Sequence, residues 1–265
     1  MYVDSHCHLS FPELASRLSE IRIAMAEAQV DRALCICTTL EEFDAVHALA
    51  TTYDNFWCSA GVHPDSEACL EPTVDGLVEL ANRPKVVAIG ETGLDYYRLN
   101  GRSIADMAWQ RERFAVHIRA SISTGRPLVI HTRSASNDTL AVLRSEQGKR
   151  AGGVFHCFTE TRDVARAALD LGFHISFSGI LTFKTAHELR EVALMVPMDR
   201  CLIETDSPYL APVPYRGKVN SPAYVPWVAR QLAEIKSIDV EQVAAQTTEN
   251  FERLFLAHEA RPVDR

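Results

Sequence analysis

Two histidines one residue apart, His6 and His8, lie almost at the start of the chain in "VDSHCHLS". In a strand, positions i and i+2 face the same side about 6–7 Å apart, so the two imidazoles can reach one cation while Cys7 points away. An isolated HxH also fits two polar side chains at the frayed end of an edge strand. The reading therefore depends on ligands supplied from elsewhere. Further along, His63 occurs in "GVHP", Glu91 in "GETG", His131 in "VIHT", His156 in "VFHCF", and Glu204 and Asp206 in "ETDSP". A lone histidine in an apolar run reads more naturally as a satisfied core residue. Five histidines and three acids, all at the ends of apolar runs in six different units, form a set.

Imidazole with carboxylate is a nitrogen and oxygen donor set suited to Zn²⁺, Mn²⁺, Fe²⁺ or Co²⁺. Six ligand candidates (His6, His8, Glu91, His131, His156 and Asp206) exceed the needs of one tetrahedral ion. Two ions ~3.5–4 Å apart are the economical expectation. Glu91, from the middle of the strand order, is placed to bridge them. Asp206 would bind one ion and accept a proton from water, whose pKa falls toward about 7 on such an ion. The remaining histidines, His47, His117, His174, His187 and His258, fall in helical or early strand positions and read as solvated or structural.

The elements that position these residues alternate. Short apolar runs at 2–8, 32–39, 56–64, 85–93, 127–132, 152–158, 173–179 and 200–206 read as strands. Helical patterns fill the intervals at 12–28, 40–53, 73–83, 105–124, 136–147, 161–172 and 185–196, and two more at 222–235 and 239–257 close the chain. Eight strands alternating with helices predict a (β/α)₈ TIM barrel, whose strand ends converge on one face. An open doubly wound sheet would carry a GxGxxG fingerprint after its first strand, and this chain has none there. Without repeats or linkers, 1–265 reads as one barrel domain.

Composition bounds the rest. A hydrophobic fraction of 47% builds a sizeable core, and no run of 18 apolar residues or leader-like start points to membrane or secretion. Seven scattered cysteines do not form a disulfide framework and fit the reducing cytoplasm. Cys35 and Cys37, in "ALCICTT", read as small hydrophobes in a buried strand rather than as metal ligands. With 27 basic and 35 acidic residues the net charge is −8, so any polyanion must be gripped locally rather than by a broad field.

Together, "VDSHCHL", "GVHP", "GETGLDYY", "VIHTR", "HCF", "SFSGILTF" and "ETDSPYLAPVPYRGK" resemble the TatD-like metal-dependent nucleases, from about residue 2 to 255. The resemblance implies a distorted (β/α)₈ barrel with two divalent metals (Zn, Mn, Mg or Co) that hydrolyses DNA, as an exonuclease on single strands or strand ends. It makes His6, His8, Glu91 and Asp206 ligands of one metal, and Glu91, His131 and His156 ligands of the second. His63 and Glu204 match further positions used for substrate or an additional ion, and Glu204 joins Asp206 as a catalytic candidate. Ser10 stands where the family usually has Asp or Asn.

On this reading Arg133, Arg216 and Lys218 would hold neighbouring phosphates by charge-assisted hydrogen bonds, unless they are solvated loop cations. Tyr96 or Tyr97 would stack on a terminal base, or pack at the rim. The competing class is an amidohydrolase-type C–N or lactone hydrolase acting on a small cyclic substrate. Those enzymes share the HxH and the final Asp but often bridge their metals with a carboxylated lysine, where this chain has Glu91. A metal-binding scaffold without catalysis is a further alternative.

Overall fold

The computed structural model describes residues 1–257; His258 and the other residues after 257 lie outside it. Eight parallel strands follow one another in sequence order around a nearly closed barrel. They are β1 (Tyr2–Cys7), β2 (Val30–Cys35), β3 (Phe56–Ala60), β4 (Val86–Asp95), β5 (Leu128–Arg133), β6 (Gly153–Phe155), β7 (His174–Phe177) and β8 (Cys201–Ile203). The seam between β1 and β8 is thin, with one bridge between Cys7 and Ser207. Side chains reinforce it: Ser5 Oγ donates to the Ile203 carbonyl at 3.0 Å, and Asp4 accepts from the Thr205 amide at 2.8 Å.

Alternation along the strands separates two apolar layers. Ala33, Cys35, Phe56, Cys58, Leu128 and Ile130 pack outward beneath the helices. Val3, Leu34, Trp57, Val87, Val129, Val154 and Leu202 form a second cluster, joined by Phe251 and Phe255 from the last helical stretch. That plug fills the end of the barrel opposite the polar strand ends. Pairing register shifts between Asp4 and Cys7 in β1 and between Ile89 and Thr92 in β4. Such irregularities re-aim side chains, and here they bracket His6 and Glu91. Gly93 allows β4 to approach β5 this closely: a Cβ there would lie 1.9 Å from the His131 carbonyl oxygen.

The helices are α1 (Pro12–Ala15), α2 (Leu18–Glu27), α3 (Phe43–Thr52), α4 (Val74–Ala81), α5 (Ala108–Thr124), α6 (Ser136–Ser145), α7 (Arg162–Asp170), α8 (His187–Met195), α9 (Val225–Lys236) and α10 (Val240–Phe251). The single helix expected over 12–28 is broken after Ala15. The Ser16 hydroxyl bonds the Pro12 carbonyl at 3.1 Å, offering the backbone a local alternative to the continuing helix. The last pattern ends as α10 followed by a π turn, Glu252–Leu256. The strands β6 and β8 are shorter than their apolar runs, so His156, Glu204 and Asp206 stand just past the ladder.

α5 carries a buried polar row, Gln110, Arg113 and His117, at the i, i+3, i+7 spacing that shares one helix face. His117 Nε2 accepts from the Val62 amide at 3.0 Å, and Nδ1 lies 2.8 Å from the Arg113 carbonyl. An amide can only donate and a carbonyl only accept, so this ring is neutral with its proton on Nδ1. Burial pushes its pKa down to about 4. The unfolded chain, with an ordinary histidine, takes up the proton first, so this contribution is complete above pH 6.5 and is lost as pH falls toward 4. Urea denaturation of the wild type and His117→Gln across this window should show the wild type losing about 3 kcal/mol relative to the variant. A pH-independent difference would contradict the assignment.

Candidate metal centre

Glu91, buried in β4, presents its two oxygens to different neighbours. Oε1 lies 2.9 Å from His156 Nε2, 3.2 Å from His131 Nδ1 and 3.3 Å from His63 Nε2. Oε2 lies 3.3 Å from His6 Nε2 and 3.9 Å from His8 Nε2. Asp206 Oδ1 completes that second group, 3.3 Å from His8 Nε2 and 3.6 Å from His6 Nε2. Three overlapping triads, His6–His8–Glu91, His63–Glu91–His131 and His6–His156–Asp206, each bring their ligand atoms within 4.8 Å of one another. Chain geometry explains the convergence. The Asp206 amide bonds the His6 carbonyl at 2.9 Å, and the His8 amide bonds the Ser207 carbonyl at 2.8 Å, so the β1–β8 seam joins three of these residues.

The donor set fits a divalent cation. His6 Nε2 and His8 Nε2 are 3.2 Å apart, and both point at carboxylate oxygens. At His156, Nδ1 lies 3.2 Å from Glu204 Oε1, which leaves Nε2 directed at Glu91. Lone pairs from imidazole and carboxylate thus converge from several elements on one place, which is the chemistry of a nitrogen and oxygen metal site.

Charge is balanced locally. Burial opposes ionisation of Glu91, yet His156, His63 and His6, together with the nearby His131, hold its carboxyl well below the usual range. Burial likewise opposes a charged Asp206, and the bond to His8 with the charges of His6 and His156 outweighs it, lowering the pKa. Burial alone would lower His63, but Glu91 and Asp65 raise it to about 10. His63 Nδ1 lies 2.6 Å from Asp65 Oδ1.

The remaining residues singled out in the sequence lie around this centre. Glu204, wholly buried, lies 3.2 Å from His156 Nδ1 and accepts a hydrogen bond from the Cys157 amide at 2.8 Å. Tyr96 is buried, its hydroxyl donating to Asp138 at 2.8 Å and accepting from Arg111 at 2.9 Å. Tyr97 is the tyrosine that faces outward, 58% exposed, with the Arg133 guanidinium 3.6 Å above its ring. Consecutive residues at a strand end point oppositely, so Tyr96 packs inward while Tyr97 faces outward. Arg216 lies 3.6 Å over the Phe183 ring, and Lys218 5.6 Å over Tyr215.

Sequence reasoning missed the supports. Arg113 donates to the carbonyls of His63 at 3.0 Å and Ser66 at 2.7 Å, fixing the loop after β3. Asp95 stands 3.0 Å from His131 Nε2. The available signals were the polar i, i+3, i+7 row in α5 and an acid four residues beyond Glu91.

A parallel eight-stranded barrel with imidazoles and carboxylates gathered past its strand ends defines a barrel hydrolase that works with divalent metal. The sequence pattern of the TatD related DNase family matches residues 3–256, and the chain belongs to that family. It is a metal-dependent hydrolase. YcfH of Escherichia coli K12, described as an uncharacterized metal-dependent hydrolase, is 46% identical over 257 residues, covering 96% of this chain and 95% of that protein. The 3′-5′ ssDNA/RNA exonuclease TatD of Escherichia fergusonii is 33% identical over 258 residues, covering 95% and 98%. The crystal structure of YJJV, a TatD homologue from Escherichia coli K12, superimposes with a TM-score of 0.87 at 25% identity, covering 97% of this chain and 98% of that one.

A ligand that binds only the folded state stabilises it by about 4 kcal/mol at a thousandfold excess over Kd. Thermal scans of chelator-treated protein should therefore rise by on the order of 10 °C with saturating Zn²⁺ or Mn²⁺. Glu91→Gln should remove most of that rise; an equal rise in the variant would place the ions elsewhere.

Proposed function

We propose that the protein is a deoxyribonuclease that removes nucleotides from the ends of single-stranded DNA, using two divalent cations of the Zn²⁺, Mn²⁺, Mg²⁺ or Co²⁺ type. The observation that carries this is the division of Glu91: one oxygen faces His131, His156 and His63, the other His6 and His8. His6, His8, Glu91 and Asp206 would hold one ion, and Glu91, His131 and His156 the other. Bound there, the ions would supply Lewis acidity for the phosphate oxygens and the attacking water.

The chain's own residues do the rest. Asp206 takes the proton of the attacking water. Its side chain is 15% exposed, against 3% for Glu91 and none for Glu204, so it is the carboxylate that solvent reaches. Glu204 acts only through His156. Tyr97 and Phe183 carry Arg133 and Arg216 over their rings at 3.6 Å each, which orders the two guanidiniums for phosphates while a base stacks nearby. Lys218 adds a third cation on the loop after β8. With a net charge of −8, these few local contacts suit a strand end better than a long duplex.

The name of the Escherichia fergusonii relative, an exonuclease on single-stranded DNA and RNA, supports the same substrate class. Seven cysteines without a disulfide support a cytoplasmic site of action. Among the described residues, no helix is long and apolar enough to cross a membrane.

The test is hydrolysis of 5′- and 3′-labelled single-stranded oligonucleotides with added Mg²⁺, Mn²⁺, Co²⁺ or Zn²⁺, beside a chelator control. A metal-dependent ladder is expected, absent from Glu91→Ala, with its polarity read from the label. Tyr97→Ala should raise KM roughly 5- to 150-fold, the equivalent of ~1–3 kcal/mol of stacking, with little change in kcat. An intact oligonucleotide together with turnover of cyclic amides or lactones would overturn the nuclease reading.

A further inference from the structure

Asp95 ends β4 four residues after Glu91 and is 7% exposed. All of its polar groups are engaged. Oδ2 lies 3.0 Å from His131 Nε2, and Oδ1 accepts the Tyr97 amide proton at 2.8 Å. Its own amide donates to Gln110 Oε1 at 2.9 Å, and its carbonyl accepts from Gln110 Nε2 at 3.1 Å. Gln110, 1% exposed in α5, thus grips one residue of the strand end by both backbone groups.

We propose that Asp95 is a positioning residue that fixes the proton of His131 on Nε2, leaving the Nδ1 lone pair aimed beside Glu91 Oε1, and that Gln110 holds Asp95 in register for this. The proposal rests on the reading of His131 as a metal ligand through Nδ1. A carboxylate only accepts, and a neutral imidazole has one donor and one acceptor nitrogen. Two carboxylates compete for that one hydrogen, Asp95 at 3.0 Å from Nε2 and Glu91 at 3.2 Å from Nδ1. Glu91 Oε1 is already faced by His156 and His63, so the nitrogen facing Asp95 carries it. His156 is arranged the opposite way round, with Nδ1 toward Glu204 and Nε2 toward the same Glu91 oxygen. The three rings that meet at Oε1, His131, His156 and His63, each have a carboxylate behind them, Asp95, Glu204 and Asp65 respectively. His6 and His8 differ: neither Nδ1 has a hydrogen-bond partner among the described residues. A carboxylate behind a ligating imidazole fixes its orientation and raises its basicity, so this support belongs to one side of Glu91 only.

Asp95→Asn separates this role from packing. The variant keeps the shape but has one acceptor oxygen, and the Tyr97 amide, a fixed donor, claims it. The new NH₂ then faces His131 Nε2, which must become the acceptor. The ring proton moves to Nδ1 and covers the lone pair aimed at the centre. Asp95→Ala leaves the ring free to choose. The isosteric change should therefore be the more damaging one, the reverse of what packing predicts.

The experiment titrates metal-depleted full-length wild type, Asp95→Asn, Asp95→Ala and Gln110→Leu with Co²⁺, following absorption and bound-metal content. The His131 tautomer is read in the metal-free proteins by ¹⁵N NMR, at a pH high enough that the ring is neutral, and assigned with His131→Gln. We expect Asp95→Asn to bind one ion roughly 10- to 100-fold more weakly while the other is retained, with its ring proton on Nδ1. Asp95→Ala and Gln110→Leu should show smaller losses at the same ion. Wild-type cobalt binding by Asp95→Asn, a greater loss in Asp95→Ala, or an unchanged tautomer would overturn the proposal. If wild type takes up no cobalt, the ligand reading fails, and the tautomer measurement still decides the role of Asp95.

Discussion

A carboxylate buried in a barrel with five imidazole nitrogens within 4 Å is the constraint on which the rest of this structure depends. An uncompensated buried charge is costly, and a carboxyl alone at such a site would be expected to keep its proton. Glu91 is instead held ionised by the histidines around it. Those histidines come from β1, the loop after β3, β5 and the segment after β6. Each must arrive with a nitrogen directed inward, so the electrostatics of one side chain sets the geometry of four separate β/α units.

The fold meets that demand by concentrating irregularity on the site side and regular packing on the other. Below, strand alternation and the Phe251–Phe255 plug make an ordinary apolar filling. Above, register shifts in β1 and β4, the close β4–β5 approach at Gly93, and short β6 and β8 ladders turn polar residues inward. The row on α5 acts from outside the barrel. His117 fixes Val62 beside His63, Arg113 fixes the loop that follows, and Gln110 fixes Asp95. Buried polar groups of this kind rigidify only when fully paired, and these are paired to backbone groups that carry site residues.

Much of this was legible in the sequence. Apolar runs ending in His or Glu located the strands and the residues that now meet at Glu91, because a parallel barrel brings its strand ends to one face. The order of the elements carried the topology. What the sequence concealed was direction and partnership. Tyr96 and Tyr97 are adjacent identical residues, and only the strand end decides that one packs and the other faces solvent. Glu204 and Asp206, two apart in one motif, read as equivalent catalytic candidates, yet Glu204 lies behind His156. Asp95 reads as a loop acid, since nothing local reveals a histidine from the next strand beside it. The break near Ser16 depends on a side-chain bond that helical periodicity does not encode.

The central claim is that Glu91 divides two cations between its oxygens. The most direct measurement is a crystal structure of metal-loaded protein with anomalous difference maps collected across the absorption edge of the bound ion. The account predicts two peaks ~3.5–4 Å apart, one among His131, His156 and Glu91 Oε1, the other among His6, His8, Asp206 and Glu91 Oε2. A single peak, or ions that Glu91 does not touch, would contradict it.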